Sequence, residues 1–156
     1  MTILYIDSGC DINHPEISSN LNKQNSKSFV YQDYTLTDYT GHGTQVISCI
    51  TGNDNISGLY NNAEIVVYKI TDCEGNTRFA DLYKAIKEAI DNDYKYINIS
   101  YTGYSTNTDL IKKFQNLINI AVLNDVFIFS SIDTGNVKNQ FSIPNDLIGV
   151  YSVGSV

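Results

Sequence analysis

The 156-residue chain has the composition of an ordinary globular protein, with 42% hydrophobic and 17% charged residues. Ten basic residues against seventeen acidic ones give a formal net charge of −7, which argues against nucleic acid and anionic membrane surfaces as partners. A neutral or basic polypeptide is the partner that this charge suits best.

The sequence contains no apolar run near the ~20 residues that a membrane-spanning helix needs. Met1 leads directly into a strand-like segment, so the sequence as written predicts a cytoplasmic protein without a signal peptide. The cysteines Cys10, Cys49 and Cys73 show no Cys-x-x-Cys spacing. We therefore predict three free thiols rather than a disulfide framework or a zinc site.

Short apolar runs alternate with helical periodicities along the chain. Several of the runs are apolar on both faces, as in a buried parallel sheet, and six are predicted as strands, at residues 3–7, 27–31, 64–70, 96–100, 126–131 and 148–153. Apolar side chains at helical spacing predict three helices, which begin near His42, Phe79 and Thr108. The alternation indicates a single α/β domain over residues 1–156, with sites at the carboxyl ends of its strands.

The predicted helices have recognisable ends and inward faces. The first places Val46, Ile47 and Ile50 inward before Gly52 ends it. The third has Asn107 or Thr108 available as its N-cap. The inward faces of the second and third helices are Phe79, Leu82, Tyr83, Ile86 and Ile90, and Leu110, Ile111, Phe114, Leu117, Ile118, Ala121 and Val122.

Two short motifs pair a carboxylate with an imidazole. The first, Ile6-Asp7-Ser8-Gly9, closes the opening strand and is followed by His14-Pro15. The second is Asp38-Tyr39-Thr40-Gly41-His42-Gly43-Thr44, at a predicted helix start. A serine hydroxyl needs an imidazole to take its proton and a carboxylate to orient that imidazole. The pairing therefore indicates serine protease chemistry.

Taken in order, the motifs resemble the amino-terminal part of the subtilisin-like serine proteases, the subtilase family. The two motifs above are similar to the family's aspartate and histidine motifs. Residues 58–69 are similar to its Gly-Val-Ala-Pro-x-Ala loop and the strand after it, residues 96–100 to its Val-Ile-Asn-Met-Ser strand, and residues 152–156 more weakly to its Ala-Val-Gly-Ala segment. The resemblance covers nearly the whole chain. It implies an incomplete three-layer subtilisin-like fold, with a mainly parallel central sheet flanked by helices.

By this resemblance, Asp7 is the orienting carboxylate of a catalytic triad and His42 is its general base. Gly41 and Gly43 fit this assignment because a peptide that approaches the base needs little bulk beside it. His14 is given a structural role, since a residue before proline favours an extended conformation.

Substrate recognition in the family adds the peptide as a strand between two exposed backbone segments. The matching positions in this sequence are Gly75, Asn76, Ser100, Tyr101, Thr102 and Gly103. Tyr101 and Thr102 differ from the family's Leu-Gly pattern, so we expect a narrower or closed primary pocket. The resemblance does not carry a substrate preference over to this chain.

The family's oxyanion donor is an asparagine just after the fifth strand. An ungapped alignment places Thr134 at that position after Asp133, whereas a two-residue insertion restores Gly135-Asn136. Asn136 is therefore a weak candidate, and an ionised Asp133 in that position would repel the developing anion. Calcium is common in the family, but the short loop at residues 52–58 offers no complete oxygen cage, so no metal ligands are assigned.

The family's nucleophile lies in a Gly-Thr-Ser-x-Ala segment that the 156 residues do not contain. We therefore expect the chain alone to be inactive as a protease. The favoured hypothesis is a truncated part of a subtilisin-like endopeptidase, because Asp7 and His42 are both present and the difference is confined to one end. The alternatives are a noncatalytic pseudoprotease that binds peptides or regulates a protease, and a chain completed by a second polypeptide.

Overall fold

The computed structural model describes residues 1–52, 54–132 and 139–154. Short strands alternate with helices along these residues. In chain order the elements are β1 (Thr2–Asp7), β2 (Lys27–Ser28), α1 (His42–Thr51), β3 (Glu64–Lys69), α2 (Phe79–Asp91), β4 (Tyr96–Ile99), β5 (Gly103–Ser105), α3 (Thr108–Leu123), β6 (Phe127–Ser131), β7 (Phe141–Ile143) and β8 (Val150–Val153).

Within the described residues, six strands form one parallel sheet in the order β2-β3-β1-β4-β6-β8. The register places Asp7 of β1 beside Lys69 of β3, and Ile6 beside Ile99 of β4. Because the strands are parallel, their carboxyl ends and the loops that follow meet at one edge of the sheet. The predicted α/β class with a mainly parallel central sheet is confirmed.

Both faces of the sheet are apolar because each packs against helices. Leu4 and Ile6 of β1 contribute to the core under α2 and α3, and their neighbours Tyr5 and Val67 pack under Ile47 of α1 on the opposite face. Consecutive residues of β1 thus face different helices, as the period of a strand requires. These two cores hold the carboxyl end of β1 in place from both sides.

The helices begin and end close to the predicted positions, and their predicted inward residues are buried or partly buried with one exception. Val122 of α3 was predicted inward but is 51% exposed, on the last turn of the helix. The Asn107 side chain accepts hydrogen bonds from the backbone N–H groups of Asp109 and Leu110, so Asn107 rather than Thr108 is the N-cap.

Two strand predictions need correction. The second strand covers only Lys27–Ser28 instead of residues 27–31, since the chain turns away from β3 after Phe29. The antiparallel pair β5 and β7 was not predicted, because three residues in each strand are too few for a periodic signal.

Half of one sheet face is open in the described part of the chain. On the α1 side, aromatic residues of β4, β6 and β8 form a row of ring contacts, with 36–52% of each residue exposed: Tyr96, Phe127, Phe129 and Tyr151. A groove of about 550 Å³ separates this row from Val46 and Ile50 of α1. Among the described helices, none is both long and apolar enough to cross a bilayer.

Candidate active site

Asp7 ends β1 at the carboxyl edge of the sheet, with only 3% of its side chain exposed. Its Oδ1 atom accepts a 2.7 Å hydrogen bond from the backbone N–H of Ser8 and lies 2.7 Å from His42 Nδ1. Its buried Oδ2 atom has no hydrogen-bond partner among the described residues. Burial raises the pKa of Asp7 above its ordinary value, and the hydrogen bonds from His42 and Ser8 oppose that increase.

His42 is the first residue of α1, and about half of its side chain is exposed. An ionised carboxylate can only accept hydrogen bonds, so the contact with Asp7 requires the proton on Nδ1. The other ring nitrogen, Nε2, is then unprotonated and able to accept a proton. The geometry is that of a base whose tautomer is fixed by a buried acid.

Asp38 joins the two motifs. Its Oδ2 atom accepts hydrogen bonds from the backbone N–H and the hydroxyl of Thr44, at 2.9 and 2.7 Å. Its Oδ1 atom accepts hydrogen bonds from the Gly41 N–H and the Ser8 hydroxyl, at 2.9 and 2.8 Å. Ser8 in turn accepts from the Gly43 N–H at 3.0 Å. One carboxylate thus caps α1 and ties its first turn to the end of β1.

The two glycines beside His42 are needed for different reasons. Gly41 has a φ of 77°, which a residue with a side chain rarely adopts. A Cβ atom on Gly43 would lie 2.2 Å from the carbonyl oxygen of Gly9 and 3.2 Å from Asp7 Oδ1. Gly43 is therefore explained by the close approach of α1 to β1, not by the room for a peptide that the sequence suggested.

A cleft of about 230 Å³ opens beside the Asp7–His42 pair. One wall is a short hairpin after β3, where Thr71 bridges Thr77 and Gly75 turns the chain. The other wall is Ser100 and Tyr101, directly after β4. Two backbone segments thus flank the pair on either side of a groove.

Three of the predicted substrate-binding residues line this cleft, namely Gly75, Ser100 and Tyr101. The other three do not line it. Asn76 is held in the turn by a hydrogen bond from its backbone N–H to Asp72, and Gly103 begins β5, where a Cβ would meet the Phe79 ring.

Thr102 also turns away from the cleft, and its hydroxyl donates a 3.3 Å hydrogen bond to the carbonyl oxygen of Ser131. This contact bridges the ends of β4 and β6. The oxyanion candidate Asn136, with Asp133, Thr134 and Gly135, lies outside the described residues.

Sequence reasoning missed the parts that Ser8, Asp38 and Lys69 play around the pair. Ser8 and Asp38 belonged to recognised motifs, but their mutual hydrogen bond joins motifs far apart in the chain. Lys69 ends β3 and is fully buried. Its only sequence signal was a lysine near the end of a strand whose central residues are apolar.

His14 has a structural place. Its Nδ1 atom accepts a 3.3 Å hydrogen bond from the backbone N–H of Glu16, in a turn whose Ile17 N–H donates to the His14 carbonyl oxygen. Across the described residues, no group of three or more His, Cys, Asp or Glu side chains is arranged to hold a metal ion.

Comparison with known proteins supports the likeness of the whole chain to one family. A family model described as the subtilase family, Peptidase_S8, matches residues 1–156. The chain is 26% identical over 162 aligned residues to the major intracellular serine protease of Bacillus subtilis (strain 168), covering 99% of this chain and 50% of that protein. It is 31% identical over 112 residues to subtilisin amylosacchariticus of Bacillus subtilis subsp. amylosacchariticus, covering 69% of this chain and 28% of that one.

Solved structures show the same fold. The epidermin leader peptide processing serine protease of Staphylococcus aureus superposes with a TM-score of 0.86 at 22% identity, over 99% of this chain and 46% of that one. A lanthipeptide protease superposes with a TM-score of 0.82 at 29% identity, over 99% of this chain and 48% of that one. The chain therefore spans about half the length of these solved proteins and of the full-coverage Bacillus relative.

Proposed function

Because the chain belongs to the subtilase family of serine peptidases, we propose that it contributes the aspartate and the histidine of a peptide-bond hydrolase. The observation that carries this proposal is the 2.7 Å contact between the buried Asp7 carboxylate and the Nδ1 atom of a half-exposed His42. His42 would accept the proton of the attacking hydroxyl at Nε2, and Asp7 would hold the ring and stabilise the imidazolium.

The nucleophile would come from residues other than these 156, since they include no Gly-Thr-Ser-x-Ala segment. The serine nearest to the pair, Ser8, uses its hydroxyl to donate to Asp38 and to accept from Gly43. We therefore propose that the chain alone does not hydrolyse peptides. Removing the serine of such a triad costs many orders of magnitude in rate.

The pseudoprotease alternative is less well supported. A module that has lost catalysis is free to lose the contact between its acid and its base, whereas Asp7 and His42 remain within hydrogen-bond distance. Among the described residues, Asp7 also has a buried oxygen without a hydrogen-bond partner, a cost that a purely structural carboxylate would not need to retain.

The proposed peptide substrate would lie along the cleft between Gly75 and Ser100. The relative that is 29% identical is a lanthipeptide protease, which favours a lanthipeptide as the substrate class of the complete protein. The relative named as an intracellular protease favours action inside the cell. A net charge of −7 favours a neutral or basic peptide.

A tetrapeptide chloromethyl ketone tests the base, because it alkylates an unprotonated ring nitrogen of a histidine that a bound peptide places beside it. We expect mass spectrometry to find the label on His42 and not on His14, the other histidine of the chain. His42→Ala should abolish the labelling, and His14→Ala should leave it unchanged. Equal labelling of the two histidines would contradict the proposal.

A serine-directed phosphonate tests the proposed inactivity. We expect no labelled serine in the isolated chain, with an active subtilisin as the positive control. A labelled serine would show that the chain holds its own nucleophile.

The open half of the sheet is the place where we propose that a complementing segment docks. The two solved proteins described above are about twice as long as this chain, and we propose that a segment of similar length packs on this face. Tyr96, Phe127, Phe129 and Tyr151 expose aromatic area on one continuous face, which suits an apolar helix surface of such a segment.

Mixing the chain with the separately produced second half of the lanthipeptide protease, and following hydrolysis of a peptide ester, tests this docking. We expect Phe129→Lys to abolish any recovered hydrolysis. Tyr34→Lys, which changes an 87% exposed loop tyrosine, should leave it intact. Hydrolysis that Phe129→Lys does not affect would place the partner on another surface.

A further inference from the structure

Lys69 is the last residue of β3 and is 0% exposed. Its ammonium group donates hydrogen bonds to Asp33 Oδ2 at 2.5 Å and to the carbonyl oxygen of Thr37 at 2.8 Å. It also lies 4.5 Å from the centre of the Tyr39 ring. All three partners belong to one segment, residues 33–39.

A lysine at this position has to be explained, because burying an ammonium group is costly unless it is well paired. The preceding residues on the same face of β3, Ile65 and Val67, are apolar core residues. An apolar residue at position 69 would extend that core without a buried charge that needs a partner. The pairing is close: burial alone would raise the pKa of Asp33, but the hydrogen bonds from Lys69 and Thr35 lower it below its ordinary value.

The segment that Lys69 holds leads directly to the acid–base pair. Asp38 follows Thr37 and binds the first turn of α1, which begins with His42. On the other side, the strand of Lys69 is joined to the strand of Asp7, since the Ile70 N–H donates a 2.9 Å hydrogen bond to the Asp7 carbonyl. Lys69 therefore connects the strand beside Asp7 to the loop that places His42.

We propose that Lys69 is a positioning residue for the acid–base pair, acting through Asp33 and the 33–39 segment. This inference rests on the proposed function of Asp7 and His42. It adds a residue whose side chain hydrogen-bonds to Asp33 and Thr37 and to neither member of the pair. With the tie in place, the loop holds Asp38 against α1, and α1 holds His42 Nδ1 at its distance from Asp7. Without it, the loop is free to move and the contact between the two side chains loosens.

The test is the His42 Nδ1 proton, observed by NMR in the isolated chain labelled with ¹⁵N. A proton held between Nδ1 and a carboxylate is shifted far downfield and exchanges slowly with water. In Lys69→Met and Asp33→Ala we expect this signal to be lost or its exchange to be at least about tenfold faster, because exchange requires the contact to open. The control is Asp81→Asn, which disrupts the ion pair of a buried carboxylate with Arg78 at the start of α2; neither side chain hydrogen-bonds to residues 33–39 or to the Asp7–His42 pair.

A core role alone would lower stability in Lys69→Met without moving the His42 signal. An unchanged signal and exchange rate in the folded variants would therefore overturn the proposal. If Lys69→Met does not fold, Asp33→Ala decides the question, since the Asp33 side chain is 19% exposed and lies in a loop.

The same spectra distinguish failure of the proposed Asp7–His42 pair from failure of the proposed role of Lys69. If the original chain shows no such Nδ1 proton, the proposed Asp7–His42 pair fails and the role of Lys69 falls with it. If the signal is present and changes equally in Asp81→Asn, the pair stands and the role of Lys69 is overturned. Loss of the Nδ1 proton signal in Lys69→Met and Asp33→Ala alone supports both the Asp7–His42 pair and the role of Lys69.

Discussion

Ser8 and Asp38 lie 30 residues apart and are joined by a 2.8 Å hydrogen bond between the serine hydroxyl and Asp38 Oδ1. Ser8 follows Asp7 in the chain, and Asp38 binds the helix start that carries His42. This one contact therefore fixes the two halves of the acid–base pair relative to each other. It connects the stability of the fold to the geometry of the site.

Asp38→Ala should lower the free energy of unfolding by about 2 kcal/mol, the upper end for loss of a helix cap, because Asp38 also binds Ser8. Urea unfolding at pH 7 measures the change. Asp91→Ala, which removes an exposed carboxylate paired with Lys87, is the control and should have little effect. An equal loss in both variants would contradict the special position of Asp38.

The contribution of Asp38 should also depend on pH. Burial alone would raise its pKa, but the hydrogen bonds from Thr44, Ser8 and Gly41 lower it below its ordinary value. A lowered pKa means that Asp38 contributes fully to stability above its unfolded-state pKa of ~3.9. This contribution is lost as pH falls through its folded-state pKa. The difference between the original chain and Asp38→Ala should therefore shrink below about pH 4. A difference that grows in acid would contradict this.

Asp7 should behave in the opposite way. Burial raises its pKa, so the folded state binds the proton more tightly than the unfolded state does. Its contribution to stability is then greatest below the unfolded pKa of ~3.9 and decreases as pH rises toward the folded value. Compared with Asp7→Asn, the original chain should lose stability as pH rises above about 4 and through the folded pKa of Asp7. Urea titrations across that range measure the trend, and a gain would contradict it.

The three thiols should react at different rates. Burial raises the pKa of Cys10 to about 12, so almost no thiolate forms at neutral pH, whereas Cys49 and Cys73 are exposed. A disulfide reagent should modify Cys49 and Cys73 quickly in the native chain, and Cys10 only after unfolding. Peptide mapping identifies the modified residues. Rapid native modification of Cys10 would show that the core beside Asp7 opens readily.

Glu16 should hold the loop after α1 without help from a metal. Its side chain is buried and accepts hydrogen bonds from the backbone N–H groups of Asp54, Asn55 and Ile56, at 2.8, 2.5 and 3.2 Å. Glu16→Ala removes the carboxylate that accepts these charge-assisted hydrogen bonds and should cost about 3 kcal/mol. Thermal unfolding measures the loss, and Glu16→Gln, which keeps one acceptor oxygen, should lose less.

The hydrogen bonds of Glu16 also predict that the loop after α1 does not bind calcium. The three N–H groups point toward the Glu16 carboxylate, so this side of the loop offers donors where a cation needs oxygen ligands. We expect the melting temperature of the chain to be the same in excess calcium and in a chelator. A rise of several degrees with calcium would contradict this expectation.

Much of the fold could be predicted from the sequence, because local patterns encode it. The apolar run before Asp7 and the spacing of Leu82 and Ile86 reflect burial on a strand and on a helix, each set by near neighbours in the chain. The Asp and His motifs were recognisable for the same reason. Short elements such as β5 and β7 carry too few residues to leave such a signal.

The detailed site depended on contacts that no local pattern carries. Gly75 and Tyr101 line the cleft while the neighbouring Asn76 and Thr102 turn away, because hydrogen bonds to Asp72 and Ser131 set the direction of each loop. Asp72 lies in the same turn as Asn76, whereas Ser131 belongs to another strand, whose position beside Thr102 exists only once the sheet has formed.

By itself, the sequence determined the alternation of strands and helices and the residue types available for chemistry, since both follow from short-range spacing. Only the tertiary structure decided that Asp7 and His42 are in contact and that Lys69 is buried against Asp33. The physical reason is that these contacts arise from the packing of parallel strands and of α1, which brings together side chains that are remote in the chain.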